Sequence, residues 1–174
     1  MAPATVERLD VNGARRHRDA LAAVLVDCVE GGASVSFMTP FTHDEARAFF
    51  ESVEASVGAG TRLLLAAFLD DQVVGTVQVT AAWPPNQPHR ADVAKLLVRR
   101  SARNRGIGRL LMEQAEAQAR EQGWTLLVLD TVTGDPAERL YERMGWTKVG
   151  VIPNFALYPD GRPCDTTVFW KALG

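Results

Sequence analysis

The sequence of 174 residues is poor in cysteine, with only Cys28 and Cys164. Cys28 lies in an apolar helical pattern and Cys164 in a polar, loop-like segment, so the pair does not indicate a disulfide framework. The three histidines, at positions 17, 43 and 89, have no cysteine or carboxylate at the spacing of metal ligands. We therefore expect neither a disulfide framework nor a metal site.

The sequence also lacks an excess of positive charge and a long apolar run. Its formal net charge is −2, whereas proteins that bind nucleic acid generally carry a basic surface. No stretch of about 18 apolar residues occurs, and the first ten residues lack the apolar segment of an export signal. We therefore expect neither nucleic acid nor a membrane as a partner, and a cytoplasmic location.

What is present is an alternation of strand and helix patterns. Apolar periods of two and of 3.6 residues predict the order β-α-α-β-β-β-α-β-α-β-β, with a first strand over residues 5–11 and a first helix over residues 15–30. A helical crossover between the fourth and fifth strands makes them parallel. We predict a single α/β domain over residues 1–174 with a mostly antiparallel sheet.

A basic glycine loop follows the fourth strand, which covers residues 93–98. It contains Arg103, Gly106 and Gly108, and a long helix begins directly after it. Glycines let backbone N–H groups converge, and the positive end of a helix favours an anion, so the loop predicts phosphate binding. Leu111 stands where a dinucleotide fingerprint requires a third glycine, and no Gly-Lys-Ser/Thr sequence of a P-loop occurs. A tight turn without a ligand is the alternative.

The glycine loop resembles the acetyl-CoA signature of the GNAT superfamily of N-acetyltransferases. A second segment, residues 137–146, fits the GNAT pattern Ala-x-x-Leu-Tyr-x-x-x-Gly-Phe/Trp at each fixed place. Within the superfamily, residues 31–38, 86–95, 130 and 159–161 are most similar to the tabtoxin-resistance acetyltransferases. The resemblance implies a GNAT-like mixed sheet of about seven strands, a parallel fourth and fifth strand, and about four helices.

The resemblance also implies acetyl-CoA as cosubstrate, without a metal. Leu97 and Val98 would pair with the pantetheine arm in a V between the fourth and fifth strands, which GNAT proteins splay at a bulge. Ala137 belongs to the second motif beside this arm. The pyrophosphate would lie against the glycine loop, which consists of Arg103, Asn104, Arg105, Gly106, Ile107, Gly108 and Arg109.

Two residues are candidates for the proton transfers of an acetylation. Asp130 ends the apolar fifth strand, where burial would raise the pKa of its carboxyl group, and the resemblance places a catalytic residue there. Its alternative role is to cap the turn at residues 131–135. Tyr141 lies in the helix that the family places beside the CoA sulfur, and its hydroxyl could protonate the leaving thiolate. Its alternative role is packing against the sheet.

Substrate-binding candidates come from two loops by family analogy. They are Phe37, Asn86, His89 and Asp92, and their alternative roles are turn capping and surface solvation. The resemblance implies transfer of an acetyl group to a small-molecule amine in a ternary complex, with an amino-acid-like or β-lactam antimetabolite as one acceptor class and resistance as one role. A protein lysine or N-terminal acetyltransferase and a non-catalytic acyl-CoA-binding module are the alternatives. The oligomeric state stays open, with a homodimer as one option.

Overall fold

A computed structural model describes residues 3–174 of the chain. One sheet of seven strands forms its centre, in the spatial order β1-β2-β3-β4-β5-β7-β6. The strands are β1 Thr5–Leu9, β2 Arg62–Leu69, β3 Gln72–Ala81, β4 Arg90–Val98, β5 Leu126–Val132, β6 Thr147–Leu157 and β7 Pro163–Ala172. The α-helices are α1 Val11–Arg16, α2 Arg18–Glu30, α3 His43–Gly58, α4 Ile107–Glu121 and α5 Pro136–Arg143.

The sheet confirms the predicted fold class. Strands β4 and β5 are parallel, and the other neighbouring pairs are antiparallel. The predicted helix over residues 15–30 is wrong at its start. The predicted first strand, over residues 5–11, is too long, because β1 ends at Leu9 and Asp10 caps α1 by accepting a hydrogen bond from Gly13 N at 2.7 Å. His17 then separates α1 from α2.

Apolar side chains form a separate core on each face of the sheet. On one face, Leu111 and Met112 of α4 pack with Leu127 and Phe169. On the other face, helices α1 to α3 pack on β1 to β4, with Leu25 and Phe50 fully buried. The second core contains no residue of β5, β6 or β7. Helices α1 to α3 therefore do not cover this face of β5, β6 and β7.

Strands β4 and β5 separate after a short parallel contact. Their pairing joins Arg90–Asp92 to Leu126–Val128 and goes no further. Beyond that contact β4 contains a bulge, because its pairing with β3 shifts register between Gln78↔Ala94 and Thr76↔Leu97. Lys95, inside the bulge, has a left-handed φ of 57°. The splayed strands expected from the resemblance are thus confirmed, and they leave a wedge between β4 and β5.

Cys164 lies buried in β7, which corrects the expected loop position. The sequence pattern also predicts a sixth strand over residues 146–153, but β6 extends further, to Leu157. Within residues 3–174, no helix is both long and apolar enough to cross a membrane.

Candidate functional site

The wedge between β4 and β5 opens into one large cleft. Its floor is β4, from Val93 to Val98, and one end is the glycine loop before α4. The opposite wall is the end of β5 together with α5, and the segment 33–38 and the end of β6 complete the rim. The cleft therefore extends from a helix N-terminus to the point where the two central strands part.

The glycine loop has the backbone geometry that an anion site needs. Asn104 and Gly106 have φ angles of 62° and 75°, and Gly106 is the residue before the first turn of α4. A Cβ added at Gly106 would meet no atom within 4 Å, so its surroundings are open. Gly106, Ile107 and Gly108 line the cleft. The N–H groups of a first helical turn have no partner inside the helix and can bind phosphate oxygens.

The basic side chains near the loop differ in what they contact. Arg103 lines the cleft, although its Nε donates to Val98 O at 3.2 Å. Arg109 pairs with Glu113 at 2.7 Å on the exposed face of α4, and Arg105 is exposed. Arg100 holds Asp27 through both its backbone N and its Nε, at 2.8 and 2.9 Å. Arg100 therefore joins the loop to α2, which the sequence did not indicate.

The predicted pantetheine residues lie along the cleft. Leu97 and Val98 pair with Thr76 and Gly75 of β3 on one side, and β5 has already turned away on the other. Both residues line the cleft, and so does Ala137 at the start of α5. The edge of β4 that faces β5 is thus available for an added extended chain.

Asp130 lies in the cleft at the end of β5, but it is exposed, so the expected burial is wrong. Its neighbours Leu127 and Leu129 point into the core under α4, whereas Asp130 belongs to the uncovered face. Its Oδ2 accepts a hydrogen bond from Thr166 Oγ1 at 2.7 Å. Thr166 was not predicted, because only the pairing of β5 with β7 brings it here.

The hydrogen bonds of the turn at residues 131–135 do not involve the side chain of Asp130, so they do not support its alternative role as a turn cap. In the turn that follows β5, Thr133 N donates to Asp165 O, Gly134 N donates to the Glu138 carboxylate at 2.5 Å, and Asp135 N donates to Val132 O. Glu138 therefore holds this turn, and Asp130 is left to face the cleft.

Tyr141 combines a packed ring with access to the cleft. The residue is only 5% exposed, and its ring lies 5.9 Å from the rings of Trp146 and Phe169. Burial raises the pKa of its hydroxyl well above the ordinary value, and the negative charge of Asp130 raises it further. The hydroxyl is therefore protonated at neutral pH, which is the state that a proton donor needs.

The substrate candidates are not brought together at the cleft. Phe37 packs against Phe41 and Phe49, with ring centroids 4.5 and 5.3 Å away. Asn86 and His89 are exposed in the loop before β4, and Asp92 pairs with Arg90. None of these four side chains lines the cleft. Strand β4 runs from that loop towards the glycine loop, so the two loops lie at opposite ends of the strand.

The neighbours of Phe37 lie in the cleft instead. Ser36 and Met38 line it, so the segment 33–41 is both a packed loop and a wall of the pocket. Lys95 also lines the cleft, and its Nζ donates to Ser36 Oγ at 3.0 Å. In the sequence, the one signal for a role of Lys95 is that it is a lone lysine inside an apolar strand. Among the side chains of residues 3–174, no group of three or more potential ligands could hold a metal ion.

Residues 31–146 match the family model described as Acetyltransferase (GNAT) family. Because this match covers more than half of the chain, the protein belongs to the GNAT acetyltransferase family. The GNAT resemblance implied a wedge between two splayed central strands, and β4 and β5 form such a wedge.

Solved structures with the same fold cover almost the whole chain. One, described as an acetyltransferase from Salmonella typhimurium with its cofactor acetyl-CoA, has a TM-score of 0.80 and 18% identity over 99% of this chain and 95% of that one. The ribosomal-protein-alanine N-acetyltransferase from Brucella melitensis has a TM-score of 0.82 and 22% identity over 97% and 99%. A protein described as a phosphinothricin N-acetyltransferase has a TM-score of 0.79 and 19% identity over 98% and 99%.

Proposed function

We propose that this protein transfers an acetyl group from acetyl-CoA to the amine of a small molecule, by direct attack in a ternary complex. The observation that carries the proposal is the course of the cleft. It begins at the left-handed Gly106 before α4 and ends where Asp130 and Tyr141 face the parted strands. Acetyl-CoA can enter such a cleft with its phosphates at the glycine loop, and the amine can approach the thioester from the opposite end.

The residues present fit acetyl-CoA. The first-turn N–H groups of α4 and the open space beside Gly106 suit a pyrophosphate. The free edge of β4 at Leu97 and Val98 suits the amide groups of a pantetheine arm. When bound, acetyl-CoA supplies the acetyl thioester that the amine attacks.

The side chains at the other end of the cleft suit the proton transfers. An alkyl amine is mostly protonated at neutral pH and must lose a proton before it can attack. The exposed carboxylate of Asp130 attracts the ammonium form and accepts that proton, directly or through water. The buried hydroxyl of Tyr141 stays protonated and can donate a hydrogen bond to the departing sulfur.

A small acceptor is favoured by the way the segment 33–41 is fixed over the cleft. Ser34 Oγ donates to Leu157 O at 2.6 Å, and Thr39 donates to Pro159 O from both its N and its Oγ1, at 3.0 and 2.9 Å. These bonds join the segment to the β6–β7 hairpin and narrow the acceptor end. An extended protein segment would need a more open groove. Within this proposal, an amino-acid-like or β-lactam antimetabolite is one acceptor class.

The test is a measurement of CoA release on mixing the protein with acetyl-CoA and a panel of small amines, amino acids and peptides. We expect acceptor-dependent CoA release with at least one small amine and little release with lysine-containing or N-terminal peptides. Efficient acetylation of the peptides alone would favour the protein acetyltransferase alternative, in which this chain acts as the Brucella melitensis relative is described to act. Binding of acetyl-CoA without turnover of any acceptor would favour an acyl-CoA-binding module.

Replacing Tyr141 by phenylalanine should lower turnover by about a hundredfold at most, the lower end of the range for general acid catalysis. Phenylalanine keeps the ring contacts with Trp146 and Phe169, so the melting temperature should change little. The loss should shrink at high pH, because the CoA thiolate then leaves without a proton. Steady-state rates from pH 6 to 10 measure this. An unchanged rate in a folded Tyr141→Phe variant would assign Tyr141 to packing.

A further inference from the structure

Two cationic side chains, those of Arg62 and Lys95, lie on the face of the sheet that packs under α2 and α3, and neither has a carboxylate partner within residues 3–174. Arg62 begins β2, and its Nη1 donates to Gln78 Oε1 on β3 at 3.0 Å. Gln78 pairs with Ala94, the residue just before Lys95. In the part of the chain that the structure describes, neither Arg62 nor Lys95 has a carboxylate oxygen within 4.0 Å.

The β4 bulge is what turns Lys95 towards Arg62. Successive side chains of a regular strand point to opposite faces, so Lys95 would otherwise face away from Ala94 and its partner Gln78. The left-handed φ of Lys95 breaks this alternation. Its Nζ then reaches Ser36 Oγ and lies 6.0 Å from the centroid of the Phe49 ring of α3. This is the same face as Leu64, which pairs with Gln78 and packs under α2 and α3.

Some hydrogen-bond donors of Arg62 and Gln78 have no acceptor among the described residues. Gln78 is 2% exposed, and its Nε2 has no hydrogen-bond partner, like Arg62 Nε. Burial lowers the pKa of Arg62. Burial also lowers the pKa of Lys95, the positive charge of Arg62 lowers it further, and Asp130 opposes this effect. Two neighbouring cations without a carboxylate partner are costly, and an anion beside Lys95 would relieve that cost, whereas the buried donors of Arg62 and Gln78 do not line the cleft.

We propose that Lys95, with the positive charge of Arg62 near it, recognises a carboxylate on the acceptor, so that the acceptor is an amino acid or a related amine with a nearby carboxylate. Lys95 lines the cleft and contacts the carboxylate directly, whereas Arg62 and Gln78 do not line it, and Arg62 contributes positive charge from the neighbouring strands through its bond to Gln78. Asp130, the negative group of the same cleft, faces the amine end. This inference rests on the proposed acetyltransferase function and names its substrate class.

The experiment compares α-amino acids with their carboxamides as acceptors in the CoA-release assay. The carboxamide has the same side chain and a less basic amine, so intrinsic reactivity near neutral pH favours the carboxamide. We expect the wild-type protein to prefer the carboxylate in kcat/KM by about tenfold to a hundredfold, the effect of one or two charge-assisted hydrogen bonds. Equal use of both members of each pair would overturn the inference.

Substitutions separate recognition from folding. Lys95→Gln should remove most of the preference, through a higher KM for the amino acid and a much smaller change in KM for the carboxamide. Lys95→Arg should retain part of the preference because it keeps the charge. Arg16→Gln, on the exposed end of α1, is the control and should behave as wild type. Equal losses for both acceptors in Lys95→Gln, with Lys95→Arg no better, would indicate a structural role and overturn the inference.

A binding measurement distinguishes failure of this inference from failure of the proposed function. Ligand-observed NMR compares an N-acetyl amino acid with its carboxamide in the presence of CoA, without requiring turnover. Selective binding of the carboxylate form that is lost in Lys95→Gln supports the carboxylate site even if no acceptor releases CoA. That combination of results would overturn the proposed function alone. Turnover without selective binding in either assay overturns the carboxylate site alone.

Discussion

Replacing Asp130 by asparagine is expected to lower turnover by about a hundredfold or more near neutral pH, the typical effect of removing a general base. Asparagine has the same shape, and its Oδ1 can still accept the hydrogen bond that Thr166 Oγ1 donates to Asp130. The variant therefore removes the negative charge and the basic oxygen while keeping the link between β5 and β7. The affinity for acetyl-CoA, measured by calorimetry, should be nearly unchanged.

Part of the lost activity should return as the pH rises. Above the pKa of the acceptor amine, the neutral amine forms in bulk solution and no longer needs a base in the protein. The ratio of wild-type to Asp130→Asn turnover should thus decrease between pH 7 and pH 10. This profile separates a base from a residue that only positions the substrate, because positioning does not become dispensable at high pH.

Thr166→Val is the matched control for Asp130. It removes the hydrogen bond to Asp130 and the bond from Thr166 Oγ1 to Thr131 O at 3.0 Å, but it keeps the carboxylate. If Asp130 matters through its charge, the control should lose much less activity than Asp130→Asn. Near-wild-type turnover of Asp130→Asn at all pH values would leave substrate positioning as the main source of catalysis.

The parts of the fold that depend on neighbouring residues could be predicted from the sequence. Thr42 and Glu45 have the spacing of a capping box and form one at the start of α3, and the turn between β2 and β3 has left-handed residues at Asp70 and Asp71. The glycine loop and its helix are also local features, and Gly106 adopts the left-handed conformation that glycine permits at no cost. Short-range chemistry is sufficient for each of these elements.

The end of the cleft that contains Asp130, Lys95 and the segment 33–38 could not be predicted, because its structure depends on long-range packing. The exposure of Asp130 follows from the absence of β5 from the core under α1 to α3, and no periodicity in the sequence expresses that. The side chain of Lys95 reverses its face because of one φ angle in a bulge. Phe37 turns into the aromatic group around Phe49, and its neighbours Ser36 and Met38 reach the cleft instead.

Replacing Gly106 by valine should weaken acetyl-CoA binding by about tenfold to a thousandfold, the effect of losing one or two hydrogen bonds to a charged phosphate. Gly106 has a φ of 75°, a region that a β-branched residue avoids, so the loop should shift and its N–H groups should no longer converge. The added side chain would also point into the open space beside the loop, where no protein atom lies within 4 Å of a Cβ. Calorimetric titration with acetyl-CoA measures the affinity.

Gly60→Val is the matched control for this substitution. Gly60 has a φ of 72°, and a Cβ there would also meet no atom within 4 Å, but the residue lies in the turn between α3 and β2 and does not line the cleft. Both variants should lose stability through backbone strain, about 1–3 kcal/mol, whereas only Gly106→Val should lose acetyl-CoA affinity. Gly106→Asn separates the two causes, since asparagine tolerates the left-handed region but still fills the space. Wild-type affinity in folded Gly106→Val would remove the glycine loop from the acetyl-CoA site, and equal affinity losses in Gly60→Val would assign the effect to stability alone.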